Sequence, residues 1–241
     1  MIIEGAMSVK AALEAKKRDV LSLMVDEMKR DRNLAYILHL AKEAGVPVQR
    51  MPRSQIDAIA KGKTHGGVLA EVSHRQWDCL ESLDQPTFFL LVEGIVDPYN
   101  FGYICRSAYA AGVDAILMPT YHWKDLEAVI TKASAGAFEH CAIVTYEDSK
   151  ILLSSLKKQG FQVFAGYRKE ALAYDEVSYP DKLVLCVGGE MRGLSNSVLE
   201  MVDQAIYLPY GRDFKNALNG SSATSIFCFE VLRQRRMQWK K

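Results

Sequence analysis

The sequence predicts an α/β fold in two parts: a small N-terminal α/β domain over residues 1–75 and a larger α/β domain built on a parallel sheet over residues 87–241, joined by a linker at 76–86. Three observations predict it. Short apolar runs of strand length alternate with stretches of helical period, and the connections between them are short. Residues 87–93 (TFFLLVE) are apolar enough for a strand buried on both faces, as in a parallel sheet covered by helices. Residues 74–86 are polar, lack a period and end in Pro86, so they separate two cores.

The first series opens with residues 7–18, an amphipathic helix with Val9, Ala12 and Leu13 on one side. A strand at 20–25 follows, then a helix at 34–44 that ends at Gly45, where a glycine closes a helix without steric cost. A strand at 46–51, a short helix at 55–60 and a strand at 67–72 complete it. The second series starts with the strand at 87–93 and runs through helix 102–111, strand 115–118, helix 126–133, strand 142–146 and helix 150–159. It continues with strands 161–165 and 183–187, helix 197–202, strand 205–208 and helix 223–235. In sheets of this kind ligands bind at loops beyond the carboxyl ends of the strands.

Composition bounds the function. Of 241 residues, 49% are hydrophobic and 24% charged, enough for a sizeable core and against disorder. No apolar run has the length to cross a bilayer. The first 19 residues lack the apolar stretch and cleavage site of a secretory signal, so a cytoplasmic protein is expected. Cys79, Cys105, Cys141, Cys186 and Cys228 are scattered without a CxxC pair, and the five His residues lack zinc-ligand spacing; reduced core thiols and no metal are expected. The net charge of +1 is unevenly spread: residues 1–75 hold 13 Lys/Arg against 9 Asp/Glu, and residues 76–241 hold 17 against 20. Basic clusters fall at Lys16-Lys17-Arg18, Lys29-Arg30 with Arg32, Arg50 with Arg53, Lys61 with Lys63, and from Arg233 to the C-terminal lysines. A front end more basic than the rest suits a module that meets a polyanion, although solvated surface charge explains the same numbers.

Three loops have unusual composition. In Asp97-Pro98-Tyr99-Asn100-Phe101-Gly102, Asn100 is either a helix cap or a site residue. Arg106 lies six residues on, in a helix of small apolar residues, and reads equally as half of an ion pair or as an active-site group. In Gly188-Gly189-Glu190-Met191-Arg192-Gly193 the glycines allow close backbone approach to a ligand, or a bare turn. The loop lacks a Walker lysine and carries an acid, which suits a neutral or cationic ligand with ribose hydroxyls better than a pyrophosphate. The third loop runs from Leu208-Pro209-Tyr210 to Ala217-Leu218-Asn219-Gly220-Ser221, where Asn219 or Ser221 is a ready N-cap.

Together and in this order, DPYNFGYICRSAYAAGVDAIL, ITKASAGAFEH, VGGEMRGLS and LPYGRDFKNALNGSSA resemble the SpoU (TrmH-like) branch of the SPOUT RNA 2′-O-ribose methyltransferases, over about residues 88–236. The segment from GAMSVKAALEA to THGGVLAEV is similar to the small RNA-binding, substrate-recognition domain that often precedes that catalytic domain. The resemblance implies a SPOUT domain with a deep trefoil knot, a homodimer, and a structured RNA partner, rRNA preferred over tRNA. It implies S-adenosyl-L-methionine as cofactor, held largely by backbone groups at Gly188, Leu208 and Leu218, with Gly189, Gly193 and Pro209 in the same motifs. The polar positions of the family motifs fall on Asn100, Arg106, Glu190 and Asn219. Three departures stand out: Ala217 occupies the place of a usual serine before Leu218-Asn219, Gly220 replaces a usual apolar residue, and one extra residue falls between Pro209 and Asn219. Ala217 motivates an alternative, a catalytically weakened member acting mainly as an RNA-binding protein. Another nucleotide-dependent α/β enzyme is disfavoured by the missing phosphate loop.

In the family the arginine of the first motif, here Arg106, is often taken as the base. A guanidinium holds its proton too tightly to act as a base, so Arg106 is expected to stabilise negative charge developing on the 2′-oxygen. Asn100 would orient the ribose or Arg106, and Asn219 would hold the loop that closes the site. Glu190 would hydrogen-bond near the cofactor or pair with Arg106.

Overall fold

The structure is a computed structural model of the chain, described for residues 1–120, 123, 126–189 and 192–238. A four-stranded sheet organises the N-terminal part: β1 (Ile2–Glu4), β2 (Val20–Asp26), β3 (Val48–Met51) and β4 (Val68–Val72), in the order β1-β4-β2-β3. β4 runs antiparallel to β1 and β2, whereas β2 and β3 are parallel. Helices α1 (Ala6–Ala15), α2 (Arg32–Glu43) and α3 (Arg53–Ile59) connect them. The core joins Ile3, Val9, Leu23, Leu34, Ile37 and Val68. Asp31 caps α2 by accepting the Leu34 N–H at 2.9 Å, and Gly45 leaves it at φ 68°. Two differences from expectation are local. β1 is too short to reveal a period of two in sequence, and α1 stops at Ala15 because Lys16 turns left-handed at φ 54°.

The second sheet has seven strands: β5 (Phe88–Glu93), β6 (Ala115–Pro119), β7 (Ile143–Tyr146), β8 (Gln162–Gly166), β9 (Leu172–Ala173), β10 (Leu183–Gly188) and β11 (Gln204–Tyr207). Its order is β7-β6-β5-β10-β8-β11-β9, with every pairing parallel. All six residues of β5 are buried, as its composition predicted. Helices α4 (Pro98–Ala110), α7 (Ser149–Lys158), α8 (Asn196–Leu199) and α9 (Gly220–Gln238) belong with this sheet, whose core includes Phe89, Leu91, Leu117, Val163 and Val184. From β5 the chain steps outward through β6 and β7, then returns to β8 on the far side of β10. Such a reversal opens a crevice beyond the carboxyl ends of the central strands.

α4 starts four residues earlier than expected. Asp97 Oδ1 accepts the N–H groups of Tyr99 at 2.7 Å and Asn100 at 3.4 Å, and Pro98 fills the first turn. Asp97 is therefore the cap, and Asn100 lies inside the helix. Four of the five cysteines are buried and all five are free thiols; burial pushes the Cys228 thiol up to about 12. No described helix is long and apolar enough to cross a membrane.

Contacts group the described chain into two compact units. One unit comprises residues 1–76 with 122–140, the other residues 77–121 with 141–241. The inserted stretch of the first unit carries α5 (Glu127–Ala133) and α6 (Ala137–His140). It is held by charge: Arg18, fully buried, reaches Glu127 at 2.9 Å and Glu139 at 3.0 Å, both also buried. Thr131 donates its hydroxyl to Glu139 at 2.8 Å, and Lys132 pairs with Glu4 at 2.9 Å. Arg18, counted in the sequence among surface cations, is thus an interior group, because two buried carboxylates must be neutralised. The expected linker is engaged as well. Gln76 N–H donates to Lys17 O at 2.8 Å in the first unit, and in the second Asp78 exchanges two hydrogen bonds with the Ile143 backbone.

Candidate active site

Three loops converge at the carboxyl ends of β5, β10 and β11. β10 lies beside β5 in a register that sets Gly188 opposite Glu93. Gly189 N–H donates to Glu93 O at 2.7 Å, and Gly193 N–H donates back to Gly189 O at 2.8 Å. The packing is too close for side chains. A Cβ on Gly188 would strike the Gly193 backbone, and one on Gly189 would strike the Gly94 carbonyl. A Cβ on Gly220, at the start of α9, would come within 2.7 Å of Ile95 Cδ1 and 3.4 Å of Gly188 O. The glycine loop, the loop after β5 and the start of α9 therefore meet main chain to main chain.

Beside this junction lies a cavity of about 380 Å³. Gly188, Gly189, Gly193, Leu208 and Leu218 line it, five of the six positions expected to hold a cofactor; the sixth, Pro209, is exposed and does not. The catalytic candidates fall elsewhere or outside view. Arg106 is exposed and Asn100 half-buried, and neither lines the cavity. Their helix is pinned to α9 by a hydroxyl pair, Ser107 Oγ to Ser225 Oγ at 2.7 Å. Asn219 Oδ1 accepts the Ser222 N–H at 2.8 Å and the Ser221 hydroxyl at 3.1 Å, so its side chain serves the N-terminus of α9. Glu190 lies outside the described residues. Among the described residues no group of three or more His, Cys, Asp or Glu is placed to hold a metal.

Sequence reasoning passed over two features. Glu93, a buried carboxylate ending an apolar strand, accepts the Ser195 N–H at 2.8 Å, the Ser195 hydroxyl at 3.2 Å and the Tyr146 hydroxyl at 2.9 Å, which fixes the exit of the glycine loop. An acid at the last position of a doubly buried strand was the available signal. The second is the turn after β8, Gly166-Tyr167-Arg168, which lines the cavity together with Tyr210. Its position beyond a central strand's carboxyl end could have marked it. The first unit has a separate cavity of about 430 Å³, edged by Lys29, Arg30, Arg32 and Arg50.

Residues 87–229, more than half the chain, match the model of the SpoU rRNA Methylase family. The chain belongs to that family. Residues 2–77 of this SpoU methylase match the model for RNA 2′-O ribose methyltransferase substrate binding. It is 31% identical to the 23S rRNA (guanosine-2′-O-)-methyltransferase RlmB of Pseudomonas putida, over 98% of this chain and 97% of that protein. Identity to the RlmB of Escherichia coli K12 is also 31%, over 97% and 98%. Among solved structures, the SpoU methyltransferase AviRb from Streptomyces viridochromogenes, in complex with AdoMet, shares its fold with a TM-score of 0.79 at 18% identity, covering 98% of this chain and 90% of that one. The AdoMet-bound rRNA methyltransferase from Sinorhizobium meliloti gives 0.78 at 21%, covering 96% and 86%. The SpoU chain is accordingly an RNA methyltransferase with an N-terminal substrate-binding module.

Proposed function

We propose that this enzyme moves a methyl group from S-adenosylmethionine to a ribose 2′-hydroxyl of large-subunit rRNA, on a guanosine as in the RlmB proteins it resembles. One observation carries the reading: a glycine-walled cavity at the switch point of a parallel sheet, edged by main chain from the loops that bear the family motifs. The cavity suits the donor. Its size lies in the range of small-molecule sites, roughly 300–1,000 Å³, and Gly188, Leu208 and Leu218, whose main chain is proposed to hold the donor, all line it. When bound, S-adenosylmethionine supplies a methyl group already activated on a sulfonium, so the protein's task is alignment and charge.

Arg106 is proposed to face the 2′-oxygen as a cation, stabilising the charge that develops there, with Asn100, six residues earlier in the same helix, orienting it or the ribose. Asn219 holds the start of α9, and Glu190, outside the described residues, is kept as a catalytic candidate on its place in the glycine motif. The N-terminal module is proposed to grip structured RNA by shape and phosphate contacts, with Lys29, Arg30, Arg32 and Arg50 around its cavity as the first candidates. A homodimer is proposed through α4 and α9, which pack on each other and leave Tyr99, Tyr103, Ile226 and Phe229 exposed. A chain path knotted as a deep trefoil and action in the cytoplasm complete the proposal. The weakened, RNA-binding reading is not favoured, since relatives matching nearly the whole chain are curated methyltransferases.

Labelled methyl transfer to total rRNA and to tRNA, followed by nucleoside analysis, tests the proposal. Label in 2′-O-methylguanosine from 23S rRNA is the expected result. Label in a methylated base, or none in rRNA, would refute it. For the dimer, sedimentation should give twice the 27.0 kDa chain mass, reduced to one by Phe229→Glu.

A further inference from the structure

The loop between β11 and α9 forms one wall of the cavity, yet residues 211–217 are all exposed. Two contacts hold it. The Tyr210 hydroxyl accepts the Leu218 N–H at 3.0 Å, bridging eight residues from one end of the loop to the other. The Arg168 guanidinium lies 4.5 Å from the centre of the Tyr210 ring, tying the root of the loop to the turn after β8. Phe214 lies against the same ring at 6.0 Å between centroids. Tyr210 is therefore a strut with three attachments, and Arg168, Tyr210 and Leu218 all border the cavity.

We infer that Arg168 and Tyr210 are positioning residues for the methyl donor, holding the 208–218 loop in its binding shape before the donor arrives. The inference rests on the donor site proposed above. A loop that grips its ligand through main-chain groups binds well only if that main chain is already ordered, since ordering it on binding subtracts from affinity. The strut does this without obstructing the site, because the cavity keeps its 380 Å³ with Tyr210 and Arg168 in place. Its effect belongs to donor binding and not to the chemical step, because both residues act by fixing the loop proposed to carry the donor.

Calorimetry with S-adenosylmethionine and steady-state methyl transfer to rRNA, on the full chain, test the inference. Tyr210→Phe keeps the ring and removes the acceptor; it should raise Kd and the KM for the donor about 3- to 10-fold, the worth of one ordinary hydrogen bond. Arg168→Ala should raise both about 2- to 5-fold, as for an exposed cation–π contact, and Arg168→Lys should recover part of that loss. In each variant kcat at saturating donor should stay within about twofold, and melting temperature should not move. Because both residues act through one loop, the double variant should lose less than the product of the single losses. Donor affinity unchanged in both variants, or kcat lowered at unchanged KM, would overturn the inference. So would no recovery with Arg168→Lys together with a lowered melting temperature. A wild-type chain that fails to bind S-adenosylmethionine would remove the donor site itself, and is distinguishable because the variants are then not needed.

Discussion

A single methyl group added at Gly189 would collide with the Gly94 carbonyl, and neither backbone can retreat without breaking the bond from Gly189 N–H to Glu93 O. Gly189→Ala should therefore destabilise the second unit by about 1–3 kcal/mol, as overpacking does, and should abolish donor binding in calorimetry. Arg106 is the opposite case. It is exposed and engaged in no described ion pair, so Arg106→Ala should leave the melting temperature and donor affinity unchanged. If the arginine stabilises the developing oxyanion, the same variant should lose roughly 10²–10³ in turnover; near-normal methyl transfer would take Arg106 out of the mechanism. Sequence reading weighed an ion pair against a functional role for this arginine, and its exposure removes the need for a buried partner. The glycines were legible because only a residue without Cβ fits where three backbones meet. The Tyr210–Arg168 contact was not, since it joins loops 42 residues apart that only the fold of the sheet brings together.

Among the elements, α5 and α6 carry the clearest energetic signature. Arg18→Ala would leave Glu127 and Glu139 buried and uncompensated, a loss of about 3–5 kcal/mol, to be read as a lower urea midpoint for the first unit. Acid should act through Glu4 on the same stretch. Partial burial opposes its ionisation, but the Lys132 ammonium and the N–H groups of Gly62 and Lys61 outweigh it and hold the carboxyl below its ordinary value. A depressed folded-state pKa contributes stability above the unfolded value, near 4.3, and that contribution disappears as pH falls through the folded value. The first unit should thus lose stability as pH falls below about 4.3, and Glu4→Gln should flatten that acid limb without altering the alkaline side. None of this was readable from local pattern. Lys16-Lys17-Arg18 looks like a surface cluster until residues more than a hundred positions away supply the carboxylates. The parallel strands, by contrast, announce themselves by continuous apolar runs with ends legible to within one or two residues, except the two-residue β9, which is too short to show a run and was missed.

For the molecule as a whole, donor and RNA should report separately. S-adenosylmethionine at a hundred times its Kd should stabilise the chain by about 2.7 kcal/mol, seen as a raised melting temperature. RNA affinity should fall steeply with salt, and replacing both Arg32 and Arg50 by alanine should reduce the slope of log K against log salt by about 1–2 if each meets a phosphate. Equal slopes for variant and wild type would move the RNA contact elsewhere. The assignment of residues 122–140 to the first unit also bears on how such a protein can be cut or recombined. A gene segment beginning at codon 77 would encode α5 and α6 without the strands and the arginine they fold against, and would present Phe138, Ile130 and two acids to water. Such a fragment should be insoluble. Swapping the front module for that of a relative should succeed only when the stretch from 122 to 140 travels with it, so a working graft needs two crossover points more than a single cut at the linker would suggest.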